Sequence, residues 1–412
     1  MKILIVTLYY PPEPLKIISD LAEGLCAIGH DVTVLTAFPS YPVGKIYTGY
    51  SNTWPKCELL NGVRVIRVPF YPNHSSSAIK RTLSYLSFMV MACVFGPWLI
   101  PRTDIIYAIE QPSSVVAAWF LGKLWRVPFI YEIWDMWPET LRDSGMITNR
   151  NALGFVGWLC RWLYTHAAAL RVTSEGKQKN LLIKGVPLNK VFLIPCWVDT
   201  DWYAPVEYDL ELAKEIGALG YFNVVYTGNL GTAQGIETVL SSAEELYDLP
   251  EVQFLIFGDG VEGLLLRNKA KQMGLKNIKF MGSYPNSSMK RVCSIADCML
   301  VHLLDTPAFR MDIPHKILSY LACGKPIIGA LIGDGAEVIC TANAGIICNP
   351  DDSAELTRII RVFLKMPQSE RLLLGQNGRL AAKLRFEMTF LIKKIDRMLV
   401  QIIQPPLDSS KG

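Results

Sequence analysis

Twice along this chain, short runs of β-branched and aromatic residues alternate with helix-periodic segments. Ile3–Thr7, Asp31–Thr36, Val63–Val68, Ile105–Ile109 and Phe129–Ile133 read as strands, with Val191–Pro195 as one more. Between the first two, Ile18, Leu21, Ala22, Leu25 and Ile28 trace a helical face closed by Gly29. Strand, helix and strand in that order begin a parallel sheet. Periodicity lapses at 196–209, CWVDTDWYAPVEYD, where prolines and acids suit a linker. The alternation then restarts with Val224–Thr227, Val252–Phe257, Ile278–Phe280, Cys298–Leu303, Pro326–Ala330 and Ala344–Cys348. The fold class is therefore α/β, with two domains expected over 1–200 and 201–384 and a helical tail from Ser369 to Gln404. In open sheets of this kind ligands collect at the carboxyl ends of the strands.

The composition narrows the partners. Charged residues make up 19% of the 412 and the net charge is +4, which suits anionic ligands or an anionic membrane surface and is far short of a nucleic-acid footprint. The ten cysteines lie scattered with no CxxC pair, so neither a zinc site nor a disulfide framework is indicated, and a reducing cytosol fits. The opening MKILIVTLYYPPEP reads as a first strand rather than a signal peptide. The most apolar run is Arg81–Pro101, uncharged from Thr82 to Ile100. Its nineteen residues reach the lower limit of a membrane span, yet the run sits between two sheet strands. A helix buried in the domain, or lying in the lipid interface, is the expectation. All ten tryptophans fall in the first half of the chain, which points to a membrane-facing first domain, with an aromatic core as the alternative.

Two segments carry the chemistry. In Val224–Leu240 a short strand runs into Gly228-Asn-Leu-Gly231, and a helical pattern begins near Gln234. Glycines let a backbone approach a phosphate, and the free N–H groups of a first helical turn point at it. The alternative is an ordinary β–α turn. The second segment is Phe309–Ala330, FRMDIPHKILSYLACGKPIIGA, where Pro314 starts a helix over His315–Cys323. Lys316 lies on its first turn and Arg310 in the loop before it, two cations that could share a diphosphate with the glycine loop, or else remain solvated surface charges. Asp199-Thr-Asp201 has the spacing of a metal-holding Asp-x-Asp pair, but in a linker it reads as a turn cap, and no metal is expected.

Several stretches, in order along nearly the whole chain, carry a resemblance: GHDVTVLTAFPSYPVGKIYTGY, WDMWPETLRDSGM, IPCWVD, YTGNLGTAQGIETVL, FGDG, FMGSYPNSSM, ADCMLVHL and PHKILSYLACGKPIIG. The chain resembles the GT-B-fold glycosyltransferases of family four, and within them the bacterial O-antigen and capsule branch similar to N-acetyl-L-fucosamine transferases. The resemblance implies two Rossmann-like parallel-sheet domains facing across a cleft, with the last helix, about 385–404, packed back on the first domain. It implies that the nucleotide-sugar donor sits on the second domain. Gly228, Asn229, Gly231 and Gln234 would line its diphosphate, Gly258, Asp259 and Gly282 would border the base, and Ser319 would face the donor. Arg310 and Lys316 would neutralise the leaving nucleoside diphosphate electrostatically, with no metal or cofactor and with retention of configuration.

Three departures stand out. Met311 and Ser319 occupy the positions where the family often carries Glu-x7-Glu, and Glu110-Gln111-Pro112 stands where relatives tend to have His-Pro-Pro. Asn229 and Gln234 replace an Arg and a Lys. On the acceptor side, Glu110 and Asp135 end adjacent strands and could orient a sugar hydroxyl, with Glu139 one turn beyond; Asp135 could equally cap the helix starting near Pro138. The reading is a cytoplasmic, peripheral membrane glycosyltransferase. It would move a sugar from a UDP-linked donor to a polyprenyl-diphosphate-linked saccharide in surface polysaccharide synthesis. The rivals are a GT-B-fold epimerase or hydrolase using His302 or His315, and a non-catalytic member of an assembly complex.

Overall fold

The computed structural model describes residues 1–75 and 77–404. It divides into two compact units, Met1–Pro195 with Thr389–Gly412, and Cys196–Met388. The first unit holds β1 (Lys2–Val6), β2 (Asp31–Ala37), β3 (Lys56–Leu60), β4 (Val63–Val68), β5 (Ile105–Ile109), β6 (Phe129–Ile133), β7 (Ala169–Val172) and β8 (Val191–Leu193). Their order in the sheet is β3-β4-β2-β1-β5-β6-β7-β8, parallel except for the edge pair β3–β4. All five residues of β5 and of β6 are buried, because helices cover both faces of the sheet. Charged pairs survive there only when matched. The side chains of Glu132 on β6 and Arg171 on β7 face each other in register and form an ion pair at 1% and 0% exposure. Trp134 Nε1 donates to the same carboxylate at 2.6 Å, while Arg171 donates to the carbonyls of Ile194 and Pro195.

The second unit holds β9 (Phe222–Thr227), β10 (Val252–Phe257), β11 (Ile278–Gly282), β12 (Cys298–His302), β13 (Ile327–Ala330) and β14 (Gly345–Cys348), all parallel, in the order β11-β10-β9-β12-β13-β14. The order reverses at β9, so the carboxyl ends of β9 and its neighbours form the switch point where such sheets hold ligands. Two apolar clusters fill the two faces, one around Val225, Leu255 and Ile317, the other around Tyr226, Ile256 and Ile360.

The apolar run of the first half forms a 22-residue helix, Ala78–Leu99. It is neither buried in the domain nor free of it. Ser84, Phe88, Ala92 and Gly96, spaced by four, pack inward, and a side chain at Gly96 would press on Leu121 of the helix Pro112–Trp125 at 3.1 Å. The other face leaves Ile79, Leu83, Leu86, Val90, Val94 and Trp98 exposed. The helix is long and apolar enough to cross a membrane, but it rests on β2, β4 and the helix Pro112–Trp125.

The helical tail is two helices, Gln368–Arg385 and Met388–Ile403. Between them Phe386 turns inward, and its carbonyl accepts from Val198 N at 2.8 Å. The final helix belongs to the first unit, where Asp396 Oδ1 meets His30 Nε2 at 2.7 Å and Ile392 sits over Gly24. The chain leaves the first unit after Pro195 and rejoins it at Thr389.

The Glu132–Arg171 pair generates a stability prediction. Glu132→Ala strands a buried guanidinium and is expected to cost about 3–5 kcal/mol, read as a lower midpoint in urea unfolding. A change below about 1 kcal/mol would show that water reaches Arg171.

Candidate functional site

Three adjacent strands of the second unit end in glycines with positive φ: Gly228 after β9 at 130°, Gly258 after β10 at 138°, and Gly282 closing β11 at 74°. The turns interlock. Gly228 N donates to Phe257 O at 2.9 Å, Gly258 N to Gly282 O at 2.7 Å, and Leu230 N to Asp259 O at 3.0 Å. A Cβ on Gly258 would lie 1.8 Å from the carbonyl oxygen of Gly228, so only glycine permits this approach.

Lys316, on the helix His315–Ala322, reaches into this floor. A Cβ on Gly228 would stand 3.0 Å from its Nζ, so the glycine makes room for the ammonium. The ammonium lies 3.8 Å from the centre of the Tyr226 ring, a cation–π contact. It is shut off from solvent and makes no hydrogen bond among the described residues. Burial pushes its pKa down to about 7. The helix is locked to the strand end by Tyr320, whose hydroxyl accepts from Thr227 N at 2.9 Å and sits 2.9 Å from Thr227 Oγ1.

The loop is less open than the sequence implied. The helix begins at Ile236, behind a 3-10 turn, Thr232–Gln234, and Gly235 in left-handed conformation. Gln234 folds back: its Oε1 accepts from Gly231 N at 3.0 Å and from Asn229 Nδ2 at 3.4 Å. Asp259 caps its own turn by accepting from Gly260 N at 2.9 Å, and Arg267 stands 3.4 Å from it. Ser319 is half-buried one turn beyond Lys316 on the same helix.

Arg310 is engaged elsewhere. On the short turn Phe309–Met311 its guanidinium makes a two-point pair with Asp305, Nε to Oδ1 at 2.5 Å and Nη2 to Oδ2 at 2.7 Å, with the side chain half exposed. Its charge is already matched, so the unmatched cation at the glycine turns is Lys316. Asp199 accepts from the N–H groups of Asp201 and Trp202 at 3.1 and 2.8 Å, as a turn cap does. His302 Nε2 donates to Pro350 O at 2.7 Å and His315 Nε2 to Trp197 O at 3.0 Å, while His302 Nδ1 is buried without a hydrogen-bond partner among the described residues.

In the first unit, Glu110 follows β5 with φ at 68°, a left-handed conformation that a glutamate rarely adopts. Gln111 Nε2 donates to its carboxyl at 2.9 Å. Burial, and then the charge of Asp135 at the end of β6, push that carboxyl up to about 8. Two of the expected acceptor-side acids are thus together. The third is not: Glu139 is paired with Lys184 at 2.7 Å. The helix Glu139–Asp143 starts behind Pro138, whose side chain makes no cap hydrogen bond. Tyr226, Tyr320 and Thr227 are site residues the sequence did not single out; their signal was only β-strand and helix patterning.

The buried ammonium has a pH signature. Its pKa in the fold is lowered, whereas the unfolded chain holds the proton up to 10.5. The stability cost is therefore full below about 7 and is relieved as pH rises from 7 towards 10.5. Lys316→Met is expected to stabilise the unliganded protein at pH 7 by on the order of 2–4 kcal/mol, at about 1.4 kcal/mol per pH unit, with the gain shrinking towards pH 10. A variant melting below wild type across that range would contradict a partnerless charge.

Comparison with known proteins agrees with this architecture. The glycosyl transferase 4-like domain model matches residues 16–197, and the glycosyl transferases group 1 model matches residues 211–381. The chain is 27% identical over 392 residues to a putative colanic acid biosynthesis glycosyl transferase, WcaI of Escherichia coli, covering 89% of this chain and 93% of that relative. Among solved structures it is similar to sucrose-phosphate synthase of Thermosynechococcus elongatus, with a TM-score of 0.75, 17% identity and coverage of 98% and 99%. It is also similar to Anabaena HepE in complex with UDP and glucose, with a TM-score of 0.73, 17% identity and coverage of 97% and 99%. With both halves matched in order on two Rossmann-like parallel sheets, the chain belongs to the GT-B-fold glycosyltransferases, a glycosyl transferase 4-like domain followed by a group 1 domain.

Proposed function

We propose that the protein transfers a sugar, with retention, from a nucleoside diphosphate donor, UDP-linked, to a lipid-linked saccharide in bacterial surface polysaccharide synthesis. The observation that carries this is the partnerless ammonium of Lys316 between Gly228 and the Tyr226 ring. An unmatched cation in a dry slot is costly unless an anion completes it, and the switch point of a parallel sheet is where a diphosphate reaches it. In the reaction the bond from the anomeric carbon to the diphosphate breaks and a bond to an acceptor hydroxyl forms, the hydroxyl proton passing to the departing phosphate. Lys316 meets the charge that builds on the leaving group, a task that needs no metal ion. The chemistry of the resemblance, the UDP held by Anabaena HepE and the colanic acid role in the name of the Escherichia coli relative support the donor and pathway class.

Glu110 and Asp135 are proposed to hold the acceptor hydroxyl, Glu110 as a neutral acid donating to it and Asp135 accepting from it. The exposed apolar face of Ala78–Leu99 is proposed to rest in the cytoplasmic leaflet, with Trp98, 86% exposed, at the interface and Lys80 and Arg102 over anionic headgroups.

Thermal melting with UDP and with GDP tests the donor site. Ligand at a hundredfold its dissociation constant adds about 2.7 kcal/mol, visible as a higher melting temperature. UDP is expected to raise it, Lys316→Ala to abolish the rise, and a change from pH 7 to pH 9 to weaken it as the ammonium loses its proton. No rise with either nucleotide would remove the support for a transferase and favour the non-catalytic reading.

A further inference from the structure

One cavity lies wholly within the first unit and is not used by the donor site. It is a groove of about 260 Å3 between the helices Ala78–Leu99, Pro112–Trp125 and Arg150–His166, close to the ~300 Å3 at which ligand clefts begin. Its walls are apolar, with Leu86 and Met89 on the first helix, Val116 on the second, and Phe155 and Leu159 on the third. One end is different. There Arg81 and Ser113 line the groove, and both Arg81 Nε and Ser113 Oγ are shut off from solvent without a hydrogen-bond partner among the described residues.

Ser113 stands in the first turn of the helix Pro112–Trp125, whose cap position, Gln111, makes no side-chain cap hydrogen bond. Ser114 N and Val115 N already donate to Gln111 O and Pro112 has no N–H, so the helix start offers the Ser113 amide, and with it a guanidinium and a hydroxyl line the end of an apolar channel. That end adjoins the acceptor-side acids: Gln111 directly follows Glu110, and the Tyr85 hydroxyl, on the groove wall, feels the charges of Glu110, Arg81 and Asp135.

We infer that this groove holds the lipid of the acceptor: an isoprenoid chain in the apolar channel, its diphosphate on Arg81, Ser113 and the helix N-terminus, and its sugar presented at Glu110 and Asp135. The inference rests on the proposed transfer to a lipid-linked saccharide and names the lipid class and its seat. The outer wall of the groove is the helix whose far face exposes Leu83, Val90 and Val94, so a chain leaving the groove enters the same lipid surface on which that face would rest. The anionic head accounts for the two buried groups that no described residue satisfies.

The test is calorimetric titration in detergent-free buffer with farnesyl diphosphate below its micelle concentration, beside inorganic diphosphate and farnesol. Farnesyl diphosphate is expected to bind at least tenfold more tightly than either half. Met89→Trp, and separately Val116→Trp, fill the channel and are expected to weaken it tenfold or more while leaving diphosphate unchanged. Arg81→Gln should weaken farnesyl diphosphate and diphosphate together and leave farnesol unchanged. Farnesol binding as tightly as farnesyl diphosphate, or a filled channel binding it like wild type, overturns the assignment. Stabilisation by UDP, read on the second unit, separates the claims. If it is present while farnesyl diphosphate fails to bind, the groove assignment alone falls. If it is absent while farnesyl diphosphate binds, the donor reading falls and the lipid site stands.

Discussion

The second unit is built around a buried charge, the Lys316 ammonium, with no hydrogen-bond partner among the described residues. An ammonium removed from water loses several kcal/mol of solvation, and proteins ordinarily answer with a carboxylate or carbonyls. Here the neighbours of Lys316 Nζ are the face of Tyr226 and the backbone of a glycine. The aromatic face returns a small part of the lost solvation. Everything else near the ammonium is arranged to keep the slot open and dry. Gly228 has no side chain to fill it, Gly258 brings the neighbouring turn against Gly228, and Tyr320 pins the lysine's helix to the end of β9. Such a site is less stable empty than a site with a neutral side chain, and it is completed by an anion of the right depth. On the proposed reading, stability forgone at this position is what favours a phosphate there.

The first unit solves a different problem. On the proposed reading it places a sugar-handling cluster beside a lipid-facing surface. The sheet supplies the first by ending β5 and β6 in Glu110 and Asp135, where burial and mutual repulsion keep one proton between them near neutral pH. The helices supply the second. Ala78–Leu99 packs with small residues against its neighbour and keeps its large apolar residues outward, the reverse of a helix meeting water. The matched Glu132–Arg171 pair shows that this unit satisfies its buried charges where no ligand is involved, so the unpartnered Arg81 Nε is an exception of the same kind as Lys316.

Strands buried on both faces write themselves into the sequence as uninterrupted apolar runs, which is why β5, β6, β9, β10 and β12 could be read directly. β3, Lys-Cys-Glu-Leu-Leu, could not. It is an antiparallel edge strand, largely outside the core, and its charges are those an exposed loop would carry. β7 follows an apolar helix with only Ala167 and Ala168 between them, so periodicity shows no boundary. The tail broke into two helices without glycine or proline because Phe386 is drawn into the core, a tertiary cause with no local mark. At the site, spacing singled out Gly228, Gly231 and Lys316, with an ordinary turn and a surface charge as the alternatives, while Gly258 and Gly282 came in with the resemblance. The pairings that took Arg310 to Asp305 and Glu139 to Lys184, and the ring beneath Lys316, were not legible, since each depends on which residues the fold brings together.

The most direct test of the account is the titration of the Lys316 side chain itself. Nuclear magnetic resonance of protein labelled on the lysine side chains, with Lys316→Arg assigning the signal, reads the protonation of that one amine. In the free protein the midpoint is expected near 7, and saturation with UDP is expected to carry it back towards the ordinary lysine value of 10.5 as the diphosphate supplies the missing charge. A midpoint already near 10.5 without ligand, or one that UDP leaves in place, would contradict the claim that this buried cation is held in wait for a diphosphate.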